Sequence, residues 1–221
     1  MKDRMDTERL IAGLSRNLRP VRRVLHPLAA AVLWIVIGAA VVAFAVVASA
    51  EATTIPSEFR VGLESWHLLL ASGTGIAAAL AAFELALPDR DQRWALLPLV
   101  PAMAWVSLHA GGWVKHLAHD GLDALRLDVS LECVGFILGV GLPLSVLLLR
   151  LARHAALLRP RPVAALGGLA AASLASAGLS CVHRLYSEGM VLAWHGLGIG
   201  VVILLSVWLG PRIMTLRLLT H

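Results

Sequence analysis

The sequence has few charged and few aromatic residues. Charged residues make up 15% of its 221 positions and aromatic residues 5%, whereas 58% are hydrophobic and the mean hydropathy is +0.79. Soluble domains contain about 25% charged and about 45–50% apolar residues, and a soluble domain of this size could not bury so much apolar surface. A soluble enzyme and a disordered chain are therefore excluded. The apolar residues are chiefly small or aliphatic, which is typical of packed membrane helices.

Two further scarcities exclude particular activities. The chain has only two cysteines and no CxxC motif, so it lacks the thiols that a quinone-linked thiol oxidase would need. The formal net charge is +5, but no basic run is interleaved with the aromatic residues of a base-stacking site. We therefore predict no direct nucleic-acid binding, and we attribute the basic excess to residues that flank membrane helices.

Six stretches are apolar enough to cross a bilayer, which takes about 20 residues. They lie at about residues 27–50, 66–87, 93–114, 128–149, 162–182 and 190–210. The first is longer than the core of a signal peptide, roughly 7–15 residues, so we expect a membrane helix there. The sequence thus predicts an all-α, polytopic six-helix bundle over residues 27–221, preceded by an N-terminal segment, residues 1–26.

The distribution of Lys and Arg predicts the orientation of the bundle. Fifteen of the 19 lie in the N-terminal segment, the second and fourth loops and the C-terminus. The alternate loops carry four: Arg60, Lys115, Arg126 and Arg184. Because basic residues accumulate on the cytoplasmic side, we predict that both termini are cytoplasmic and that the chain is a multi-pass protein of a bacterial inner membrane.

This topology brings both cysteines to the outer face. Cys133 lies near the outer end of the fourth segment, and Cys181 closes the fifth. Six histidines fall on the same side, three of them in membrane segments and three in outer loops: His67, His109, His195, His116, His119 and His183. Two thiols at matched depth could form a disulfide or bind a soft metal ion with imidazole as a co-ligand. They could also be small buried hydrophobes.

Several polar and small residues are expected to face the bundle interior. Glu132 shares one face of the fourth segment with Asp128, and this face should point inward because a carboxylate is costly in lipid. Small residues recur every four positions in the fifth segment, and paired glycines occur in the fourth and sixth. We expect close helix crossings at all of them: Ala164, Gly168, Ala172, Ser176, Ser180, Gly135, Gly139, Gly196 and Gly200.

The cytoplasmic N-terminus has the pattern of a short amphipathic helix. Residues 7–19 follow a potential cap at Thr7 and precede Pro20. Four apolar residues form one stripe: Leu10, Ile11, Leu14 and Leu18. Such a helix either lies in the membrane interface or inserts into a groove of a partner protein.

Five short motifs, in this order and spacing, resemble the NrsF-like proteins. They are NLRPVRR at 17–23, RWALLPL at 93–99, SLEC at 130–133, RPRP at 159–162 and WHG at 194–196. Members of this family are six-helix inner-membrane anti-sigma factors that restrain extracytoplasmic-function sigma factors. The resemblance implies release of the sigma factor under heavy-metal or oxidative stress, sensed by a cysteine pair that maps onto Cys133 and Cys181.

The residues and the resemblance together give one reading. The chain is a regulator and not an enzyme; its partners are a sigma factor, bound through the N-terminal stripe, and the lipid bilayer. No cofactor is required, although a heavy-metal ion could bind Cys133 and Cys181. Possible accessory ligands are Glu132, His109, His183 and His195. The resemblance also predicts an acidic turn after the second cysteine, where this chain has Cys181-Val182-His183-Arg184.

Two other functions compete with this reading. His67, His109 and His195 could ligate haem or a metal ion from facing helices in a membrane redox protein. A small transporter would use carboxylates at membrane depth, of which the sequence offers Glu84, Glu132 and Asp128. However, no pair of broken helices is evident.

The predicted orientation is testable with alkaline phosphatase fusions. Fusions after Ile55 and Leu125 should be active, because these positions lie in the loops with few basic residues. Fusions after Arg90 and Ala156 should be inactive but stably expressed. The reverse pattern would show that the bundle is inserted the other way round.

Overall fold

The computed structural model describes residues 2–16, 25–49, 63–121, 131–153, 158–181 and 188–215. These residues form helices and connecting turns, with no strand among them. The helices are α1 (Lys2–Arg16), α2 (Pro27–Ser49), α3 (Leu63–Ala86), α4 (Leu99–Asp120), α5 (Leu131–Ala152), α6 (Pro160–Leu179) and α7 (Glu188–Thr215), with a short 3₁₀ helix, Gln92–Leu96, before α4.

The six predicted membrane segments are confirmed as six helices of membrane-spanning length and hydropathy, α2 to α7. The third predicted segment is divided, because the 3₁₀ helix ends just before Pro98 and α4 begins after it. Helix α4 then continues to Asp120, so His116 and His119, expected in a loop, are helical. Helix α7 continues through Pro211 to Thr215 instead of ending at residue 210.

Helix α6 is the central element of the bundle. It packs against α2, α3, α5 and α7, and 15 of its 20 residues are buried. Its small residues allow these approaches: a Cβ added at Gly168 would lie 2.8 Å from Ser206 Oγ and 3.0 Å from Ile203 Cα, both on α7. The expected close crossings of the fifth segment are therefore present at this position.

The glycine pairs of the neighbouring helices do not mark the crossings. A Cβ added at any of them would meet nothing within 4 Å: Gly135, Gly139, Gly196 and Gly200. The close approaches lie two residues away, at Gly141 against Ala172 and at Gly198 against Ile137. The expectation failed because the faces that α5 and α7 turn inward carry Gly141 and Gly198 instead; such rotation is decided by packing between helices and not by glycine spacing.

The inward orientation predicted for Glu132 is also wrong. Glu132 is exposed, together with Gly135 and Gly139 on the same side of α5, whereas Ile137 and Leu144 are buried. A carboxylate in the first turn of a helix is favoured by the helix dipole. At the end of a membrane helix Glu132 therefore has no need to enter the interior. Asp128 lies outside the described residues.

Helix α1 stands apart from the core. It begins at Lys2 and ends at Arg16, so Thr7 lies within the helix and does not cap it. Every side chain from residue 7 to residue 15 is exposed, including the apolar Leu10, Ile11 and Leu14. Leu18, the fourth residue of the predicted stripe, lies outside the described residues.

Replacing Gly168 with Ala should destabilise the bundle by about 1–3 kcal/mol, because the added methyl group must displace part of α7. Denaturation of the purified protein in detergent, followed by circular dichroism, measures the effect. Gly200→Ala is the matched control, since its methyl group would enter open space. Equal stability of the two variants would contradict the packing described for α6.

Candidate functional site

The two cysteines lie at the same level of the α5–α6 pair. These helices are antiparallel, with Gly141 beside Ala172 and Leu148 beside Gly167. Eight residues separate Cys133 from Gly141, and nine separate Ala172 from Cys181. At 1.5 Å per residue, both cysteines are therefore about 12–14 Å beyond that contact. We call this end of the bundle, where α5 begins and α6 ends, the cysteine end.

The surroundings of the two thiols differ, and neither cysteine is part of a disulfide. Cys133 is half-buried and packs against a small apolar cluster that includes Ile137 and Leu179. Cys181 is exposed, and its Sγ lies 3.9 Å from the carbonyl oxygen of Ala177 in the last turn of α6. One thiol is therefore sheltered by packing and the other is accessible.

A buried polar cluster lies about one and a half helical turns below Cys181. It brings together residues of four helices: His67 from α3, Trp105 and His109 from α4, Ser176 from α6 and His195 from α7. Nδ1 of His67 lies 2.8 Å from Nε2 of His109 and 3.1 Å from Nε1 of Trp105. Ser176 Oγ and Nδ1 of His195 are joined by a hydrogen bond of 2.8 Å.

The tautomers follow from the available donors. The indole N–H of Trp105 only donates, so Nδ1 of His67 is an acceptor. Nε2 of His109 faces the same acceptor and therefore carries a hydrogen. Nε2 of the neutral His67 then donates to the carbonyl oxygen of Ser176 at 3.4 Å. The assignment rests on the bonding pattern, and it leaves His67 with both ring nitrogens in use.

Sequence reasoning found the three histidines but not their partners. It considered His67, His109 and His195 as possible ligands of haem or a metal ion, and His109 and His195 also as accessory ligands beside the cysteines, and it assigned no role to Trp105. One signal was available, because Trp105 and His109 are four residues apart and share a face of α4. Ser176 was noted as a small residue, and nothing in the sequence shows that its backbone carbonyl meets His67.

This arrangement does not support a haem or metal site at the histidines. A metal ion at about 2.0–2.1 Å from two imidazole nitrogens holds them about 3.3 Å apart in a tetrahedral site, and about 4 Å apart when they are the two axial ligands of a haem iron. His67 and His109 are instead in hydrogen-bond contact at 2.8 Å. Within the described part of the chain, no group of three or more His, Cys, Asp or Glu could hold a metal ion. His109 and His195 therefore join no ligand group with the cysteines there, and His183 lies outside the described residues.

The carboxylates proposed for a transporter are not gathered at one site. Glu84 is buried near the end of α3, where its Oε2 lies 3.1 Å from Nε of Arg90. Arg159, which precedes α6, donates to the carbonyl oxygen of Arg90 at 3.0 Å. Glu84 thus takes part in the contacts that link the end of α3 to the start of α6, at the end of the bundle opposite the cysteines. Glu132, in contrast, is exposed at the cysteine end.

These features define a polytopic helical protein with six candidate membrane spans. Residues 14–215 match the family described as negative regulator of sigma F, NrsF, and the chain belongs to this family. The family is regulatory and not catalytic, and its name indicates a sigma factor as the protein partner. No curated protein and no solved structure matches the chain. The match begins at residue 14, so Leu10 and Ile11 precede it.

Proposed function

We propose that this chain is an inner-membrane anti-sigma factor that holds an extracytoplasmic-function sigma factor through α1 and releases it when Cys133 and Cys181 react. The observation that carries the proposal is an apolar stripe, exposed on an N-terminal helix, in a chain whose family regulates sigma factors negatively. Sequestration needs a surface that competes for the partner, and this stripe supplies one.

The charges of α1 favour a protein partner over the membrane interface. Helices that lie on anionic membranes are rich in Lys and Arg on their polar face. In α1, four basic residues are nearly balanced by three acidic ones: Lys2, Arg4, Arg9, Arg16, Asp3, Asp6 and Glu8. Electrostatic attraction to lipid headgroups is therefore weak. Insertion of Leu10, Ile11 and Leu14 into a groove would bury these side chains. The burial of each one contributes about 1.5–3 kcal/mol of favourable free energy to binding.

The position of the cysteines supports the sensing part of the proposal. An accessible thiol at Cys181 meets the stimulus first, and Cys133 stands at the same level on the adjacent helix. A two-electron oxidant such as a peroxide would convert the two thiols into a disulfide, with the oxidant reduced to water. A soft metal ion would displace two protons and bind both sulfur atoms. Either event releases the sigma factor only if it favours the releasing state over the holding state.

The docking helix is tested by the double substitution Leu10→Asp and Leu14→Asp. Two carboxylates in the stripe cannot enter an apolar groove, so recovery of the sigma factor with the protein purified from native membranes should fall at least about tenfold. Mass spectrometry of the co-purified proteins and a reporter for the recovered sigma factor measure the loss of binding and of repression.

The matched control places the same charges beside the stripe. The double variant Ala12→Asp and Ser15→Asp, also on exposed positions of α1, should retain the partner. Undiminished recovery with the Leu10 and Leu14 variant, at equal membrane abundance, would remove α1 as the docking element.

The sensing pair is tested by Cys133→Ser with Cys181→Ser. Because serine neither forms a disulfide nor binds soft metals well, the reporter should no longer respond to peroxide or to Cd²⁺, while repression without stress persists. Alkylation that adds mass to each free thiol should show both cysteines blocked in the stressed wild-type protein.

Ser180→Ala, next to Cys181, is the matched control and should respond normally. Full induction in the double cysteine variant would refute sensing by this pair. Induction by peroxide alone or by Cd²⁺ alone in the wild type identifies which of the two chemistries operates.

A further inference from the structure

Hydrogen bonds connect the Cys181 turn to the buried polar cluster. The carbonyl oxygen of Ala177 faces Sγ of Cys181 at 3.9 Å and accepts from Oγ of Ser180 at 2.6 Å. The backbone N–H of Ser180 donates to the carbonyl oxygen of Ser176 at 3.4 Å. That same carbonyl oxygen accepts from His67. A displacement of Cys181 therefore acts on the turn that His67 and His195 hold.

The rest of the α6 surface is in close contact with the neighbouring helices. Against α3, for example, Gly75 lies beside Ala170 and Leu174. Contacts of this kind are close but non-directional, whereas hydrogen bonds have preferred distances and angles. The hydrogen bonds with His67 and His195 therefore add a directional restraint on the last turn of α6, which is also closely packed.

The same turn also contacts the helix that follows the docking segment. A Cβ at Gly178 would collide with Val42 of α2, so the backbone of α6 lies directly against α2. Helix α2 begins at Pro27, which follows the N-terminal segment. A shift of the last turn of α6 is thus passed to the helix that carries the docking element.

We propose that the hydrogen bonds of His67 and His195 with Ser176 keep the last turn of α6 in the position of the sigma-holding state. We call this pair of bonds the latch. The inference rests on the proposed function and adds three positioning residues to it: His67, Ser176 and His195. The hydrogen bonds of the latch are formed in the structure, in which neither cysteine is part of a disulfide. Its bonds therefore stabilise the unreacted state, and oxidation or metal binding at Cys181 must overcome this stabilisation to release the sigma factor. Weakening the latch raises the population of the releasing state without any reaction at the cysteines.

The test is Ser176→Ala in a chain that also carries Cys133→Ser and Cys181→Ser. The hydroxyl group that bonds His195 is lost, and unstressed reporter activity should rise about five-fold, the factor that one ordinary hydrogen bond contributes to an equilibrium constant. Unstressed reporter activity should rise by the same factor when Ser176→Ala is made in the chain with its native cysteines. His195→Ala should give a similar rise, and His195→Asn, which keeps a polar group near the position of Nδ1, should restore repression.

Ser145→Ala is the matched control. Ser145 is also buried, but its Oγ donates to Leu142 of its own helix at 2.9 Å, so this variant should not change the reporter. Membrane abundance is measured by immunoblot for every variant. No rise with Ser176→Ala, an equal rise with Ser145→Ala, or a rise that matches a lower abundance would each overturn the latch.

Deletion of the whole chain separates this inference from the function on which it rests. If deletion does not raise the reporter, the proposed repression itself is wrong. If deletion raises it and Ser176→Ala does not, repression stands and the latch is wrong.

Discussion

The close approach of four helices to α6 is the constraint on which the rest of the structure depends. In lipid, helices gain little from the hydrophobic effect when they associate, so contact must come from packing and from hydrogen bonds between helices. The small residues of α6 allow backbones to approach to distances that a larger side chain would block, as at Gly168 and Gly178. The positions of α2, α3, α5 and α7 are set by their contacts with the almost completely buried α6, and α4 packs in turn against α3 and α7.

Close packing also decides where polar groups can be placed. A polar side chain within a bundle needs a partner, because unsatisfied donors and acceptors are costly in an apolar medium. His67, His109 and His195 meet this need with one another, with Trp105 and with Ser176. Their convergence is possible because Ser176 is small enough to bring its carbonyl oxygen within reach of His67. The polar cluster is therefore a consequence of the same small residues that make α6 central.

The membrane segments could be predicted from the sequence, whereas the face of each helix that is buried in the bundle could not. Hydropathy is summed over a window, so the ends of α2 to α7 were located to within a few residues, except at α4, which begins after Pro98 and continues to Asp120, and at α7, which continues through Pro211 to Thr215. The burial of a face depends on which neighbour it meets. Glu132, Gly135 and Gly139 form a plausible interior stripe by composition, yet Ile137 and Gly141 occupy the interior. The three histidines were identified, but their contacts depend on rotations of four helices that no single segment encodes.

Distance is the remaining physical problem for a regulator of this kind. Helix α2 is parallel to α6, since Gly38 meets Leu174 and Gly178 meets Val42. The proposed docking segment therefore precedes α2 at the end of the bundle where α6 begins, and the cysteines lie at the other end. The 20 residues of α6 separate the two ends by about 30 Å.

Coupling over such a length requires an element with two discrete positions that both sites bias. Under the proposed function α2 would be this element, because it contacts α6 at Gly178 near the cysteine end and begins at Pro27 near the docking end.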